Sequence, residues 1–236
     1  MNRASRLQAL RSAGLYGIVD FGYCEPSNAA SVCEALCQGG VSIIQLRAKD
    51  FSEGDILSAA KELVPICQGN GVPFIVNDFA DVAVTAGADG VHIGQDDGDL
   101  ETAREIVGQG MIVGRSTHSL EQARKALADG FDYAGFGPLH PTPTKEGRPG
   151  IGLEHVATVE REISPEMPVF FIGGLTQATL PEVVSQGGSR AVVVSDILKA
   201  DDIAERTKFF VTMLQRAEAS ATGRELKSEG QNYPDR

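Results

Sequence analysis

The sequence predicts a single (β/α)₈ TIM barrel, and three observations support this fold class. Short apolar runs rich in β-branched residues recur along the chain and alternate with amphipathic segments of helical periodicity. Eight such strand–helix units fall within about 200 residues, close to the size of a closed α/β barrel. No Gly-x-Gly-x-x-Gly motif follows the first run, which disfavours a dinucleotide-binding open sheet.

The predicted strands are continuous apolar runs, as expected for a parallel sheet that is covered on both faces. In chain order they span residues 15–20, 42–47, 73–77, 90–94, 111–114, 133–137, 168–172 and 191–194. The predicted helices include 28–38, 53–68, 119–128, 177–186 and 200–217, with a short and weakly signalled helix at 81–86. Ser119 and Thr176 are the predicted N-caps of their helices.

These elements divide the chain into three parts. Residues 1–14 form an N-terminal extension, 15–217 the catalytic barrel, and 218–236 a polar tail that we expect to be disordered.

The composition narrows the classes of partner. The net charge is −11, which disfavours nucleic acid and anionic membranes because both require a broad basic surface. No apolar run approaches the length of a membrane span, and no signal-peptide core follows the N-terminus. We therefore expect a cytoplasmic protein that acts on small molecules. The sequence leaves open whether it forms a homo-oligomer.

All four cysteines lie in the first third of the chain. They form no Cys-x-x-Cys pair and no zinc-ligand spacing with histidine. Cys33 and Cys37 are four residues apart on a predicted helix and share a face. We interpret them as reduced thiols that face the core, in preference to a metal or redox site.

Polar side chains follow two neighbouring strands, where a TIM barrel carries its active site. Asn77 and Asp78 end the third strand, and Gln95, Asp96 and Asp97 follow the fourth. Because neighbouring parallel strands lie roughly 4.8 Å apart, two such carboxylates can hold one hard cation. Asx turns are the alternative at either position alone, but two adjacent positions favour a metal site.

The second strand ends in Gln45-Leu46-Arg47-Ala48-Lys49. Alternation along a strand places Gln45, Arg47 and Lys49 on one side. If that side is the barrel interior, two cations lie at its mouth. A strand that simply runs into a solvated loop is the equal alternative.

The remaining strand exits carry weaker signals. Ser116 is a candidate phosphate donor, while His118 is more easily interpreted as a loop hydrogen-bonder than as an acid or base. The long Pro- and Gly-rich segment 138–150 is a candidate lid with Lys145 at its centre. After the seventh and eighth strands, Gly174 and Ser195 occupy the usual phosphate-binding position of this fold, although a helix-entry turn also requires glycine.

Taken together, these residues resemble the thiamine phosphate synthase family. The resemblance extends from about Leu15 to Leu214, and its most specific part is the Thr142-Pro143-Thr144-Lys145 loop combined with Asp78 and Asp97. The family often has Glu where this chain has Ala48, a position that points away from the two cations. Phe79 replaces a residue that is commonly polar.

The resemblance implies a Mg²⁺-assisted transferase. It would join 4-amino-2-methyl-5-hydroxymethylpyrimidine diphosphate to 4-methyl-5-(2-phosphoethyl)thiazole, giving thiamine phosphate and pyrophosphate. It implies that Asp78 and Asp97 hold Mg²⁺ and that Arg47, Lys49, Ser116 and Lys145 act on the leaving group. The implied pyrimidine-diphosphate contacts are Gln45, Leu46, Arg47, Ala48, Lys49, Asn77, Ser116 and Lys145. The implied thiazole-phosphate contacts are Thr142, Pro143, Thr144, Gly174, Val194 and Ser195.

Two rival functions remain at this stage. A thiazole tautomerase would use the same barrel and phosphate site, but it would need an acid–base residue, such as His118, in place of the metal. A non-catalytic phosphate-binding barrel would not depend on Mg²⁺ at all.

Overall fold

The computed structural model describes residues 1–141 and 150–229, with side chains up to residue 219. Its eight strands are β1 Leu15–Asp20, β2 Ile43–Arg47, β3 Phe74–Asn77, β4 Gly90–Ile93, β5 Ile112–Thr117, β6 Tyr133–Phe136, β7 Val169–Ile172 and β8 Ala191–Val192. They pair in parallel and in chain order, and β8 closes on β1. The predicted (β/α)₈ barrel is therefore confirmed.

Helices follow every strand in the described part of the chain. They are α1 Arg3–Ser12, α2 Ala29–Gln38, α3 Glu53–Gly69, α4 Ala80–Ala86, α5 Leu100–Val107, α6 Leu120–Asp129, α7 Val156–Glu162, α8 Leu180–Ser185, α9 Ser195–Leu198 and α10 Ile203–Glu229, with a 3₁₀ turn at Pro26–Asn28. Helix α1 precedes the barrel, and the crossover helices pack around its outside.

Strand parity separates two hydrophobic cores. One set of alternating side chains packs between the strands and the helices, and it includes Val19, Leu46 and Val76. The other set fills the barrel interior, where Ile43, Ile75, Ile112, Tyr16, Tyr133, Phe170 and Val192 belong to one buried cluster. Because successive side chains of a strand point to opposite faces, the next inward positions toward the strand ends lie at the mouth of the barrel.

The N-terminal extension is a helix that closes the opposite end of the barrel. Leu10 of α1 is fully buried and packs in the interior cluster. Arg6 pairs with Asp89 at 2.8 Å, and Arg3 pairs with Asp132 at 2.6 Å. Both aspartates immediately precede strands, and each also accepts a hydrogen bond from a strand N–H. These ion pairs fix α1 across the N-terminal end of the barrel.

The predicted helices differ from the structure at two places. Helix α8 begins at Leu180 with Thr179 at its N-cap position, because the Thr176 hydroxyl instead accepts the N–H groups of a preceding turn. Helix α1 was not predicted as a helix, since its mean hydropathy is low and its apolar contact comes only from the tertiary fold. The predicted N-cap at Ser119 is confirmed, as its side chain accepts the N–H of Gln122.

The tail also differs from the prediction. Helix α10 continues to Glu229, so residues 218–229 are helical where disorder was expected, and 230–236 lie outside the described residues. The segment is polar, but it is rich in Ala, Glu, Lys and Arg, which have high helix propensity. Helix propensity therefore extends α10 beyond Leu214, which is still buried in the outer core.

Among the described residues, no helix combines the length and the apolar character needed to cross a bilayer.

We expect Arg6→Ala to lower the free energy of unfolding by about 3 kcal/mol, because it leaves the buried Asp89 carboxylate without its main cation. Arg124→Ala is the matched control. It removes an arginine from an exposed pair with Glu162, and it should change the free energy of unfolding much less than Arg6→Ala does. Chemical denaturation of both variants provides the measurement. Equal losses would show that the Arg6 pair does not anchor α1.

Candidate active site

A pocket opens at the C-terminal end of the barrel, with a volume of about 630 Å³ including the space open to solvent. Its walls come from the inward-facing residues at the strand ends, and its floor comes from the interior cluster. The polar lining residues are Tyr16, Asp20, Gln45, Arg47, Asn77, His92, Ser116, Thr117, His118 and Tyr133. The pocket therefore brings together polar residues from strands β1 to β6.

Two carboxylates approach each other at the edge of this pocket. Burial, the negative charge of Asp97 and a hydrogen bond between the two side chains raise the pKa of Asp78 to about 6. The charges of Lys49 and Arg47 act in the opposite direction and lower it. The acidic pair and the two cations are thus within electrostatic range at one rim. The role of these residues toward a ligand stays a prediction.

Backbone geometry fixes Asp78 in place. Its φ is +66°. The Phe79 N–H donates to the Asn77 carbonyl at 2.9 Å, so Asp78 is the central residue of a tight three-residue turn. The Asp78 N–H donates to the carbonyl of His92 on β4 at 2.8 Å. Aspartate tolerates this left-handed conformation better than most residues do. The turn therefore directs the carboxylate toward the loop that follows β4.

The Asp97 loop is held by its own set of hydrogen bonds. One oxygen of the exposed Asp97 carboxylate accepts the Gly94 N–H at 2.7 Å. Arg115 donates to the carbonyl of Gly98 at 2.6 Å and so braces the same loop. These contacts orient Asp97 without neutralising it by a direct ion pair in the described structure.

The second strand presents Arg47 inward, whereas Lys49 follows the strand at the rim. The Arg47 guanidinium donates to the buried Asp20 carboxylate at 2.9 Å and lines the pocket. Lys49 is exposed in the turn after β2. Leu46 and Ala48 face the other way and pack in the outer core. Any ligand contact by these two residues must therefore use their backbone atoms.

The structure adds residues that the sequence interpretation did not assign to the site. Asp20 is the partner of Arg47, and its position at the end of the apolar run 15–20 is a signal that could have identified it. His92 bonds the Ser116 hydroxyl at 3.0 Å through Nε2 and the Tyr133 hydroxyl at 3.0 Å through Nδ1. Tyr16 and Tyr133 carried no such signal, because aromatic residues in an apolar strand are usual core residues.

His118 lies in the pocket wall and hydrogen-bonds within its surroundings, as predicted. Its Nδ1 donates to the carbonyl of Gly137 at 2.5 Å, and its backbone N–H donates to the Gln122 side chain at 2.7 Å. These bonds fix the orientation of the ring.

The exits of β7 and β8 lie beside this pocket. Gly173 and Gly174 both have positive φ, and a Cβ at Gly173 would come within 2.4 Å of Pro138. Glycine is therefore required here for backbone conformation and close packing, whatever its role toward a ligand. Val194 lines the pocket, and Ser195 begins α9. The predicted residues Thr142, Pro143, Thr144 and Lys145 lie outside the described residues.

Three of the four cysteines converge away from the pocket, where α2 packs against α3. The sulfur atoms of Cys33, Cys37 and Cys67 lie within 4.8 Å of one another, which is compatible with metal binding as well as with packing. Cys33 is fully buried in the outer core and Cys37 is half-buried against it, as predicted for core-facing thiols, and Cys67 is fully buried beside them. Sequence spacing missed Cys67 because it joins the group only through helix packing.

Comparison with known proteins identifies the family. Residues 15–197 match the family described as thiamine monophosphate synthase. A thiamine-phosphate synthase from Mycolicibacterium smegmatis is 42% identical over 206 residues, which cover 83% of this chain and 89% of that protein. This chain belongs to the thiamine monophosphate synthase family.

A solved structure and a second relative complete the comparison. The thiamine phosphate pyrophosphorylase from Pyrococcus furiosus superposes with a TM-score of 0.78 at 29% identity, covering 88% of this chain and 98% of that one. The thiamine-phosphate synthase of Gloeobacter violaceus is 41% identical over 177 residues, covering 75% of this chain. This chain spans about half of that relative's length.

Both departures from the family pattern have a local explanation. Ala48 is 6% exposed in the outer core, so its side chain does not reach the pocket. Phe79 packs against the same core, and its carbonyl accepts the Ala83 N–H in the first turn of α4. Neither substitution alters the inward-facing residues of this thiamine monophosphate synthase family member.

The raised pKa of Asp78 predicts a pH-dependent stability cost in the metal-free protein. An aspartate with an unfolded pKa near 3.8 and a folded pKa of about 6 destabilises the fold once pH exceeds the lower value, and the full cost is present above the higher one. Asp78→Asn removes this cost and retains a residue that tolerates positive φ. We expect it to raise the metal-free Tm by roughly 2–5 °C at about pH 8.

The same substitution should change the Tm far less at about pH 4, where the wild-type carboxyl is largely protonated in the folded state and about half protonated in the unfolded state. Thermal denaturation in chelator at both pH values measures the difference. A gap of equal size at the two pH values would contradict the like-charge contact between Asp78 and Asp97.

Proposed function

We propose that this protein is a thiamine phosphate synthase that joins 4-amino-2-methyl-5-hydroxymethylpyrimidine diphosphate to 4-methyl-5-(2-phosphoethyl)thiazole. The observation that carries the proposal is the electrostatic contact of Asp78 with Asp97, Arg47 and Lys49 at the mouth of a family-matched barrel. This combination suits a diphosphate ligand, since such a ligand needs both a dication and fixed positive charge. We expect the enzyme to act in the cytoplasm.

Asp78 and Asp97 would hold Mg²⁺ in this proposal. The two carboxylates repel each other, and both offer the oxygen ligands that a hard divalent cation prefers. A cation bound between Asp78 and Asp97 would offset this repulsion. When bound, Mg²⁺ would neutralise charge on the diphosphate leaving group.

The basic side chains would stabilise pyrophosphate as it departs. Asp20 bonds Arg47 from the β1 side at 2.9 Å, which orients the guanidinium toward the pocket before substrate binds. Preorganised charge of this kind lowers the barrier because it needs no rearrangement during bond cleavage. Lys49 would supply a second charge from the rim, and Lys145 of the 138–150 loop a third.

The pocket interior would hold the pyrimidine. Gln45 lines its wall, and Tyr16, Tyr133 and Phe170 form an aromatic floor.

The bond between the methylene carbon and the diphosphate oxygen breaks, and the electron-rich aminopyrimidine delocalises the positive charge that remains on the methylene carbon. The thiazole nitrogen then forms the new C–N bond. This sequence requires no side-chain nucleophile.

The thiazole phosphate would bind on the side of β7 and β8. Gly174, Val194 and Ser195 lie at those strand exits, and Thr142, Pro143 and Thr144 belong to the loop that follows β6. Exposed backbone N–H groups at these exits can bind a phosphate monoester. This arrangement would direct the thiazole nitrogen toward the pyrimidine methylene.

The first test is synthesis from both substrates with and without chelator. We expect turnover to stop in EDTA and to return with excess Mg²⁺, because the acidic pair requires its cation. Isomerisation of a thiazole phosphate that is indifferent to chelator would identify a tautomerase instead. Binding without turnover would identify a phosphate-binding barrel.

Asp97→Ala should lower kcat by more than about 100-fold while the barrel remains folded, because one of the two proposed metal ligands is lost. The adjacent exposed Asp96→Ala is the charge-matched control, and it should retain near-normal rates. Steady-state kinetics with circular dichroism of each variant provides the measurement. Similar behaviour of the two variants would reject the role of Asp97.

Lys145→Ala should depress kcat more than it raises the KM for the thiazole phosphate, since the lysine is proposed to act on charge that develops as pyrophosphate leaves. Initial rates over a range of both substrates separate the two effects. A raised KM with an unchanged kcat would assign Lys145 to ground-state binding alone.

A further inference from the structure

A chain of hydrogen bonds crosses the barrel interior beneath the pocket. Gln45 Nε2 donates to the Tyr16 hydroxyl at 2.9 Å, and the Tyr16 and Tyr133 hydroxyls lie 3.0 Å apart. The Tyr133 hydroxyl lies 3.0 Å from His92 Nδ1, and His92 Nε2 lies 3.0 Å from Ser116 Oγ. These hydrogen bonds connect Gln45 on β2 to Ser116 on β5. The three residues between them are Tyr16, Tyr133 and His92.

The donor at Gln45 gives this chain a direction. Among the described residues, the Tyr16 hydroxyl has two hydrogen-bond partners, Gln45 and Tyr133. Gln45 donates to the Tyr16 hydroxyl oxygen and so cannot accept the Tyr16 proton. Of the two partners, Tyr133 is therefore the one that accepts this proton. The opposite direction would leave a buried hydroxyl proton without an acceptor, which is costly in an apolar interior.

The direction of these hydrogen bonds also fixes the tautomer of His92. Tyr133 accepts from Tyr16, so its own proton is donated to His92 Nδ1. His92 then carries its proton on Nε2 and donates it to Ser116 Oγ. Since that oxygen accepts a hydrogen bond from His92 and Ser116 lines the pocket, the Ser116 hydroxyl proton can be donated to a ligand in the pocket. The chain therefore makes Ser116 a donor toward an anion.

The surroundings keep the chain protonated and rigid. Complete burial raises the pKa of Tyr16 and Tyr133 above the usual value for tyrosine, so both retain their protons. Phe170 packs edge-on against both tyrosine rings, with centroids 5.3 and 5.9 Å away. A Cβ at Gly114 would come within 2.1 Å of the Tyr133 ring, so glycine at this position leaves the space that the ring occupies.

We propose that Tyr16, Tyr133 and His92 are positioning residues that orient the Ser116 hydroxyl as a donor to the diphosphate of the substrate. This inference rests on the proposed function. It also extends to the other end of the chain, because the bond to Tyr16 fixes the Gln45 carboxamide. That bond uses one N–H of the amide and leaves its oxygen as an acceptor for an amino group such as that of the pyrimidine. One chain thus orients both polar ends of the pyrimidine diphosphate site.

The test is a double-mutant cycle between Tyr133→Phe and Ser116→Ala. Tyr133→Phe keeps the ring and removes the hydroxyl. It should lower kcat/KM for the pyrimidine diphosphate by about 10- to 100-fold, a typical loss for an outer-shell partner. If Tyr133 acts through Ser116, the double variant should be no worse than Ser116→Ala within about threefold. Losses that multiply, or a Tyr133→Phe variant with normal kinetics, would overturn the proposal.

Two substitutions of His92 sharpen the test. The amide nitrogen of Gln in His92→Gln can occupy the position of Nε2 and still donate to Ser116, whereas the shorter Asn in His92→Asn cannot reach it. We expect His92→Gln to retain at least about tenfold more kcat/KM than His92→Asn at equal Tm, since only one keeps the donor. Equal activity of the two variants at equal Tm would contradict the donor role.

A binding measurement separates this proposal from the proposed function. Calorimetric titration of inorganic pyrophosphate with Mg²⁺ reports on the anion site without any turnover. Tyr133→Phe should weaken pyrophosphate binding by about tenfold and should leave inorganic phosphate binding at the β7–β8 side unchanged. Absence of synthesis by the wild-type protein would reject the proposed function. Unchanged pyrophosphate affinity in Tyr133→Phe would reject the hydrogen-bond chain.

Discussion

Two carboxylates that repel each other lie beside two basic side chains at one rim of a closed barrel, and the chemistry of the site depends on this arrangement. The charge of Asp97 raises the pKa of Asp78, while Arg47 and Lys49 lower it. An isolated acidic pair would be an unfavourable feature of a folded protein. Next to fixed positive charge and an open pocket, the same pair is suited to a dication and the diphosphate that the dication would bind.

Parallel pairing of neighbouring strands brings these groups together. Arg47, Asp78 and Asp97 lie at the ends of β2, β3 and β4 or just after them. These three strands are adjacent and parallel, so residues that are far apart in sequence lie side by side at one end of the barrel. Strand parity sends Leu46 and Ala48 into the outer core and turns Gln45 and Arg47 inward. At the opposite end, α1 covers the interior and leaves the C-terminal rim as the side on which the pocket opens.

Local patterns were sufficient to predict the barrel and the residues at its strand exits. Apolar runs and turn residues are read from neighbours in sequence, so the strands at 15–20 and 90–94 were predicted within a residue or so of their bounds. Partners that meet only in the tertiary fold were not accessible in this way. Asp20 meets Arg47, and Cys67 meets Cys33, because of strand register and helix packing.

The hydrogen-bond chain beneath the pocket also could not be predicted from local sequence patterns. Tyr16, His92 and Tyr133 each resemble ordinary strand residues when taken one at a time. Their chemistry follows from burial, which keeps the tyrosines protonated, and from the Gln45 donor, which sets the direction of the chain. Such properties belong to the assembled interior and to no single segment of the sequence.

The most direct measurement is a crystal structure of the protein grown with Mn²⁺ and pyrophosphate, with anomalous scattering used to locate the metal. We expect a metal peak within coordination distance of carboxylate oxygens of both Asp78 and Asp97, with pyrophosphate bound between that metal and Arg47. A metal bound elsewhere, or pyrophosphate that binds away from Arg47 and Lys49, would contradict the central claim.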